Sequence, residues 1–220
     1  MEKLFICMCC RRRYAREHAY ITNDKIGICN ACWEQIDKVP ASSPFAGTDS
    51  TKMLIAPFYY TGALRSAVLQ YKFQGKWLFG EIFAALMLSY IRDFPLEGQY
   101  DAIAGIPLSR KRLWERGYNQ ARQLAAPIGK ALGMPLLDNG IFRRRNTAAQ
   151  STLRGVARYE NVRDAFIANV RAVENKKIIL VDDVFTYGAT MESCAKELKE
   201  KGAAEVLALT LAVVPRMYKS

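Results

Sequence analysis

The chain has 220 residues, of which 50% are hydrophobic and 24% charged, and its formal net charge is +11 at pH 7. This composition fits one α/β domain with a small appended module and excludes a disordered chain. No apolar run approaches the ~20 residues of a membrane span, and the apolar start is too short and wrongly flanked for a signal peptide. We therefore expect a cytoplasmic protein without membrane insertion.

The positive charge is concentrated in one stretch. Residues 107–163 hold twelve Lys or Arg against three acids, a net charge of +9. An excess of this kind points to an anionic partner, and phosphorylated metabolites, nucleic acid and acidic membrane all qualify. A solubilising surface is the alternative interpretation.

Residues 1–40 are rich in cysteine and predict a zinc module. Two Cys-x-x-Cys pairs are separated by 18 residues, which is the spacing of a structural zinc site, and the metal would compensate for a very small core. The four predicted Zn²⁺ ligands are Cys7, Cys10, Cys29 and Cys32. Cys9 and His18 stay open as alternative ligands. Because His18 is the chain's one histidine, a Ser-His-Asp hydrolase and a His-ligated catalytic zinc are excluded.

Residues 41–52 are small, polar and contain Pro and Gly, which predicts a linker. From residue 53 to residue 220 predicted strands alternate with predicted helices, a pattern typical of a mostly parallel sheet. The predicted strands are 54–60, 100–106, 177–182 and 205–214. The predicted helices are 62–73, 78–93, 119–132 and 190–201.

Segment 178–190 is the most informative part of the sequence. A buried strand ends in Asp182 and Asp183, and a short loop then opens a helix. Ligands of open α/β sheets bind at the carboxyl ends of strands, and helix N-termini attract anions. We therefore predict that the loop 186–190 binds a phosphate, with Gly188 allowing close approach, and that the two carboxylates accept ribose hydroxyls. The alternative is a buried strand followed by an acidic helix cap.

This segment resembles the PRPP-binding motif of type I phosphoribosyltransferases, and three further segments resemble the ComF family of competence-associated proteins. The three are Tyr-Lys-Phe-Gln-Gly at 71–75, the stretch 106–120, and the stretch 147–166. Members of this family also commonly begin with paired Cys-x-x-Cys motifs, so the resemblance covers essentially the whole chain. It implies a type I phosphoribosyltransferase fold, a mostly parallel sheet flanked by helices, behind a small N-terminal zinc ribbon.

The resemblance also implies roles for individual residues. Those implied for the 5-phosphate of PRPP are Thr186, Tyr187, Gly188, Ala189 and Thr190. Those implied for the pyrophosphate turn are Pro107, Leu108, Ser109, Arg110 and Lys111. Arg154 and Arg158 would stabilise the departing pyrophosphate from a flexible loop, 143–163, that closes over the site. Magnesium would bridge the ribose hydroxyls and the diphosphate.

Two positions depart from the family pattern. Tyr187 stands where the family usually has Thr, which replaces a small hydroxyl with a bulky phenol. Thr186 stands where purine-salvage transferases of the superfamily carry an Asp general base. The resemblance therefore does not support purine salvage.

Three functions remain open at this point. The resemblance favours a PRPP-binding competence protein that handles single-stranded DNA, with DNA-uptake proteins such as a helicase as partners. The alternative is an active phosphoribosyltransferase that displaces pyrophosphate from PRPP with an unidentified acceptor, and a third is a scaffold that docks partner proteins. The arginines expected to contact nucleic acid are Arg112, Arg116, Arg143, Arg144 and Arg145. Aromatic residues among them that could stack on bases, or else pack internally, are Trp114, Tyr118 and Tyr159.

Overall fold

The computed structural model describes residues 4–23, 25–40, 44–144 and 165–215. These ranges form a four-stranded sheet, a six-stranded main sheet and a two-stranded ribbon. In the described part of the chain, none of the helices has the length and apolar character needed to cross a membrane.

The four-stranded sheet belongs to the cysteine-rich module. Its strands are β1 (Leu4–Cys7), β2 (Arg13–Ala15), β3 (Ala19–Thr22) and β4 (Ile26–Cys29), and helix α1 (Asn30–Glu34) follows. The strand order is β2-β1-β4-β3, and β1 and β4 run parallel, with Cys7 opposite Gly27. Because both strands end in a cysteine, this parallel pairing brings the two Cys-x-x-Cys turns to the same end of the sheet.

The remaining elements follow in chain order. The strands are β5 (Phe45–Ala46), β6 (Met53–Ile55), β7 (Phe58–Tyr59), β8 (Ala102–Gly105), β9 (Ile141–Arg143), β10 (Phe166–Ala168), β11 (Lys177–Phe185) and β12 (Glu205–Val213). The helices are α2 (Gly62–Phe73), α3 (Phe79–Ile91), α4 (Arg110–Arg116), α5 (Gln120–Ala131), α6 (Val170–Val173) and α7 (Ala189–Glu200).

The main sheet has the order β5-β6-β12-β11-β8, and β7 also pairs with β12. All of these pairings are parallel except the one between β5 and β6. Parallel strands point their carboxyl ends to the same edge of the sheet, which is where ligands of such sheets bind. The predicted mostly parallel α/β fold is confirmed.

Two clusters of buried side chains sandwich the main sheet. Along β11, Ile179 and Val181 belong to the cluster formed with α2, α3 and α5, whereas Ile178 and Leu180 belong to the cluster formed with α7. This alternation is the period-two pattern of a strand buried on both faces. The apolar run predicted as a central strand is therefore confirmed.

Several boundaries differ from the prediction. The strand expected at 54–60 is split into β6 and β7 at Pro57, because proline has no N–H group to donate to the ladder. β11 continues to Phe185, three residues beyond the predicted end, since its ladder with β12 extends that far. The described part of the predicted linker contributes β5, which pairs with Met53 and Leu54.

The region 107–111, expected to be a turn, leads into a helix, α4, that was not predicted from the sequence. Ser109 is its N-cap, and the Ser109 hydroxyl accepts from the Arg112 backbone N–H at 3.4 Å. Gly117 ends the helix in the left-handed conformation with φ of 77°. Both residues are standard helix-boundary signals, so the helix could have been predicted from the sequence.

The cysteine module packs against the helices of the main domain. Its buried Phe5, Met8 and Ile28 belong to the same apolar cluster as α2, α3 and α5. The buried amide of Gln70, on α2, donates to the Met8 carbonyl at 3.1 Å and accepts from the Arg11 guanidinium. The module is therefore joined to α2 by both apolar and polar contacts.

Candidate functional site

A cavity of about 540 Å³ opens at the carboxyl end of β11. β8 pairs with β11 only as far as Gly105, which lies opposite Val181, and the chain then turns away while β11 continues to Phe185. The end of β11 thus has no neighbour in the main sheet on its β8 side within the described residues. This difference in strand length creates the space in which the cavity lies.

The cavity is lined by charged residues of both signs. The basic ones are Arg65, Lys72, Arg112, Arg116 and Arg143, and the acidic ones are Glu115, Asp182 and Asp183. The excess of basic groups suits a polyanion, whereas carboxylates suit hydroxyl donors on the same ligand. A ligand that carries both phosphates and hydroxyl groups meets both requirements.

The two carboxylates at the end of β11 are held differently. Asp183 is 5% exposed, and its Oδ1 lies 2.7 Å from the Lys72 ammonium, which projects from α2. The Asp183 backbone N–H donates to Asp182 Oδ1 at 2.8 Å. Burial, followed by the neighbouring Asp183 carboxylate, raises the pKa of Asp182 to about 7. Asp182 therefore changes charge near neutral pH, while Asp183 has a cationic partner.

Lys72 is a site residue that sequence reasoning did not assign. It lies in the Tyr-Lys-Phe-Gln-Gly segment that resembles the ComF family, but nothing local indicates that its ammonium reaches Asp183. The contact depends on α2 lying across the end of β11. Its position in a family segment was the one signal that pointed to it.

The predicted phosphate loop lies at the cavity. Four of its five residues line the wall, namely Thr186, Gly188, Ala189 and Thr190. Gly188 has φ of +76°, and a Cβ there would lie 2.7 Å from Phe185 Cζ, so both backbone and space require glycine. The loop leads into the N-terminus of α7, a twelve-residue helix, which favours a bound anion.

Tyr187 does not line the cavity, and its side chain is 46% exposed. The bulky phenol at this position therefore does not fill the space enclosed by the loop. The departure from the family pattern leaves the backbone at Gly188, Ala189 and Thr190 in place on the cavity wall.

The predicted pyrophosphate turn contributes less to the cavity than expected. Of its five residues only Leu108 lines the wall, while Arg110 and Lys111 are exposed at the start of α4 and Ser109 caps that helix. Pro107 is partly buried outside the lining.

Three of the arginines expected to contact nucleic acid line the same cavity: Arg112, Arg116 and Arg143. Burial, and then the neighbouring Arg112, lower the pKa of Arg143 to about 10, which still leaves it charged at pH 7. Arg144 is exposed, and Arg145, Arg154, Arg158 and Tyr159 lie outside the described residues. Trp114 is 87% exposed on α4, and Tyr118 is partly buried.

Arg116 connects two further cavity residues that sequence reasoning missed. Its guanidinium lies 5.1 Å from the ring centre of Phe73, and its Nη1 donates to Gln120 Oε1 at 2.9 Å. The neighbouring Asn119 caps α5 and donates to the Ile106 carbonyl at 3.1 Å, which fixes the start of that helix against the end of β8.

The cysteine cluster lies in the appended module. The Sγ atoms of Cys7, Cys10, Cys29 and Cys32 all lie within 4.8 Å of one another. Sulfurs around a tetrahedral ion with Zn–S bonds of ~2.3 Å are ~3.8 Å apart, so the donor set fits such a site and could bind a metal such as zinc.

Neither alternative ligand is a member of this cluster, although the Cys9 side chain hydrogen-bonds to that of Cys7. Cys9 is buried but is not one of the four clustered cysteines. His18 is exposed in a short 3-10 turn, with its imidazole 3.8 Å from the Glu17 carboxylate.

Comparisons with known proteins show which proteins this chain is similar to. The family model for the phosphoribosyl transferase domain matches residues 113–219, which include Asp182, Asp183 and the predicted phosphate loop. Competence protein F of Haemophilus influenzae is 28% identical over 202 residues, 83% of this chain and 88% of its own length. Competence protein ComFC of Streptococcus pneumoniae is 31% identical over 156 residues, 71% of this chain and 66% of its own.

A third relative, DNA utilization protein YhgH of Salmonella typhimurium, is 28% identical over 223 residues and covers 91% of this chain and 93% of its own length. Among solved structures, an adenine phosphoribosyltransferase shares 21% identity with a TM-score of 0.41, over 66% of this chain and 75% of that chain.

Proposed function

Because the chain belongs to the phosphoribosyltransferase family, among its ComFC-like members, we propose that it binds magnesium–PRPP and acts in DNA uptake by handling single-stranded DNA. The observation that carries the proposal is the wall of one cavity, where Asp182 and Asp183 precede the Gly188 loop. Carboxylates beside a phosphate site suit a sugar phosphate whose hydroxyls lie between them. Arg112, Arg116 and Arg143 supply positive charge for a diphosphate.

Magnesium fits the same arrangement. Carboxylate oxygens are ligands that Mg²⁺ prefers, and it usually binds through few protein groups together with substrate phosphates. Bound with PRPP, the ion would neutralise part of the diphosphate charge. Asp182 and Asp183 are the residues that would hold the ribose hydroxyls and meet the ion, directly or through water.

The DNA role draws on the names of the relatives and on surface chemistry. Two relatives are named as competence proteins and one as a DNA utilization protein. Outside the cavity, Trp114 is 87% exposed on a helix that also carries the exposed Arg110 and Lys111, a combination suited to stacking on bases and contacting backbone phosphates. We place this role in the cytoplasm, with other DNA-uptake proteins such as a helicase as partners.

Phosphoribosyl transfer is the second candidate function. Arg116 and Arg143 are cationic cavity residues that suit stabilisation of a departing pyrophosphate, the role that the family resemblance gives to Arg154 and Arg158. In this reaction the acceptor would form a bond to C1 of PRPP as the bond from C1 to the pyrophosphate oxygen breaks.

Zinc is the metal we propose for the four-cysteine cluster. Four thiolates from two Cys-x-x-Cys turns form a closed tetrahedral set, which is typical of structural Zn²⁺ and leaves no position for a substrate. The ion would hold the module's two turns together, and the module in turn contacts α2, which carries Lys72.

Calorimetric titration of magnesium–PRPP into the metal-loaded protein tests the proposal. We expect saturable binding of one PRPP per chain, and weaker binding of ribose 5-phosphate and of pyrophosphate, because each fills only part of the cavity. Fluorescence anisotropy with a labelled single strand is expected to show binding that weakens with salt. Absence of PRPP binding would contradict the proposed ligand, and absence of strand binding would contradict the DNA role.

The affinity for magnesium–PRPP should depend on pH. Because the pKa of Asp182 is about 7, this carboxyl is largely protonated at pH 6 and ionised at pH 8. Only the ionised form accepts two hydroxyl hydrogen bonds, so we expect affinity to rise with pH, by up to ~10-fold per unit below pH 7, and then to level off. Titrations at pH 6, 7 and 8 measure this.

Asp182→Asn is the matched control for this pH series. It removes the ionisation of Asp182 but keeps that of the PRPP phosphate, whose pKa is ~6.

The free energy of unfolding should follow the opposite trend, because a raised carboxyl pKa favours the folded state at low pH. Relative to Asp182→Asn, the wild type should lose stability as the pH rises from 4 through 7. If the wild type and Asp182→Asn showed the same pH dependence of PRPP affinity and of stability, the raised pKa of Asp182 would be contradicted.

A further inference from the structure

We propose that Ser50 and Glu192 are positioning residues for the phosphate loop, 186–190. A contact between them joins the segment 47–51, which connects β5 to β6, to the first turn of α7. The inference rests on the proposed function, since it concerns the loop that would bind the 5-phosphate of PRPP. Neither residue lines the cavity, so each would act through the loop and not by touching the ligand.

Ser50 gives both of its donors to one carboxylate. Its hydroxyl donates to Glu192 Oε1 at 2.6 Å, and its backbone N–H donates to Glu192 Oε2 at 3.0 Å. Hydrogen bonds to an ionised acceptor are shorter and stronger than neutral ones, and two of them fix the orientation of the carboxylate. The contact therefore holds together two parts of the chain that are 142 residues apart.

Glu192 is also bonded to the phosphate loop. Its backbone N–H donates to the Gly188 carbonyl at 2.7 Å. A Cβ at Gly188 would lie 3.3 Å from Thr48 Cγ2, so the segment 47–51 packs against the loop directly as well. Gly188 is thus held by the hydrogen bond from Glu192 and by the contact with Thr48.

The segment is itself well fixed. Thr51 is 6% exposed, its hydroxyl oxygen accepts from the Thr48 N–H at 2.8 Å, and its own N–H donates to the Thr48 carbonyl at 3.2 Å. A Cβ at Gly47 would lie 2.1 Å from the Thr51 carbonyl oxygen, so the chain closes tightly here. The Lys52 N–H then donates to the Val206 carbonyl at 2.9 Å, which attaches the segment to β12. The phosphate loop therefore rests against a fixed support.

The contact also keeps a negative charge away from the cavity. Thr190 and Met191 line the wall, but the next residue, Glu192, does not. An acidic side chain in the first turn of a helix interacts favourably with the helix dipole, and there it competes with an anion bound at the same N-terminus. Both carboxylate oxygens accept from Ser50 instead, which leaves the N-terminus of α7 for the phosphate of a ligand.

Both effects concern the 5-phosphate and not the diphosphate. The cations proposed for the diphosphate, Arg112, Arg116 and Arg143, belong to α4 and β9, whereas Ser50 and Glu192 act on the start of α7. Loss of the contact should therefore weaken ligands that carry the 5-phosphate and spare a ligand that lacks it. A contact that only stabilised the fold would show no such selectivity.

Calorimetric titration of Ser50→Ala tests the proposal. With magnesium–PRPP and with ribose 5-phosphate we expect the affinity to fall ~10-fold, about the effect of one hydrogen bond to a charged group. With magnesium–pyrophosphate, which has no 5-phosphate, we expect no change. In a Glu192→Ala background, Ser50→Ala should cause no further loss, because the contact is already absent.

Tyr100→Phe is the matched control. Tyr100 also donates its hydroxyl to a carboxylate, Glu205 Oε1 at 2.7 Å, but Glu205 begins β12 and so lies at the amino ends of the parallel strands, away from the cavity. It should leave all three affinities unchanged, and thermal unfolding checks that each variant is folded.

The outcomes separate this inference from the proposed function. If Ser50→Ala binds all three ligands as the wild type does, or loses affinity for all three equally, the positioning role is overturned and the proposed PRPP function stands. If the wild type does not bind magnesium–PRPP, both are overturned.

Discussion

The double substitution Asp182→Asn/Asp183→Asn is expected to weaken magnesium–PRPP binding by at least about 100-fold. Hydrogen bonds to charged groups contribute about 1.5–3 kcal/mol each, and the change removes two charged acceptors from one wall of the cavity. It also leaves the Lys72 ammonium without the carboxylate that lies 2.7 Å away, so the cavity's charge pattern changes as well. Calorimetric titration at pH 8, where Asp182 of the wild type is ionised, measures the loss.

Asp138→Asn is the matched control for this experiment. Asp138 is a surface carboxylate paired with Arg122 at 2.6 Å, and it does not line the cavity. The control should therefore bind magnesium–PRPP as the wild type does. An affinity of the double variant within threefold of the wild type would show that PRPP is held elsewhere.

Loss of the metal from the cysteine cluster is expected to have the largest effect on stability. Structural zinc sites bind with apparent free energies of about 10–16 kcal/mol, which become folding free energy when the apo site is unstructured. The module's Phe5, Met8 and Ile28 share a buried cluster with α2 and α3, so its unfolding also exposes part of the main core. We expect Cys29→Ser/Cys32→Ser to lower Tm by on the order of 10 °C or more.

The metal prediction has an internal control in Cys9. Cys9→Ala changes a buried cysteine outside the four-cysteine cluster, and it should retain one zinc ion per chain. Native mass spectrometry measures the metal content, and calorimetry measures the unfolding. Retention of zinc by the Cys29/Cys32 variant, or loss of zinc from Cys9→Ala, would contradict the ligand assignment.

The metal and PRPP sites are also physically connected. Gln70, which contacts the module at the Met8 carbonyl, lies two residues before Lys72 on α2. Disorder in the module would therefore reach the helix that supplies the partner of Asp183. In the metal-free protein we expect weaker PRPP binding to accompany the lower stability.

Most of the fold could be predicted from local signals. The apolar run at 177–182 and the helical spacing at 62–73 predict β11 and α2 closely, because strand and helix periodicity are properties of neighbouring residues. The split at Pro57 and the helix α4 were missed, although Pro57, Ser109 and Gly117 are recognisable boundary residues. In both cases the boundary residues were present in the sequence, but a continuous strand was predicted at 54–60 and a turn at 107–111.

The candidate site was predicted less completely. Asp182, Asp183 and most of the 186–190 loop line the cavity as the strand–loop–helix pattern suggested. The basic residues at the cavity differ from those predicted for the pyrophosphate. Helix α4 turns Arg112 and Arg116 to the cavity and leaves the predicted Arg110 and Lys111 exposed. Which side of a short helix faces a ligand depends on how that helix packs.

By itself, the sequence determined the paired Cys-x-x-Cys spacing, the carboxylates after a buried strand and the glycine loop that follows. Each of these is encoded within a short segment or a fixed spacing. The tertiary structure decided the partners of those groups: Lys72 beside Asp183, the Gln70 contact to the cysteine module, and the joining of Phe73 to Gln120 through Arg116. These contacts join residues that are brought together only when α2 and α4 pack at the end of β11, and no local pattern specifies that packing.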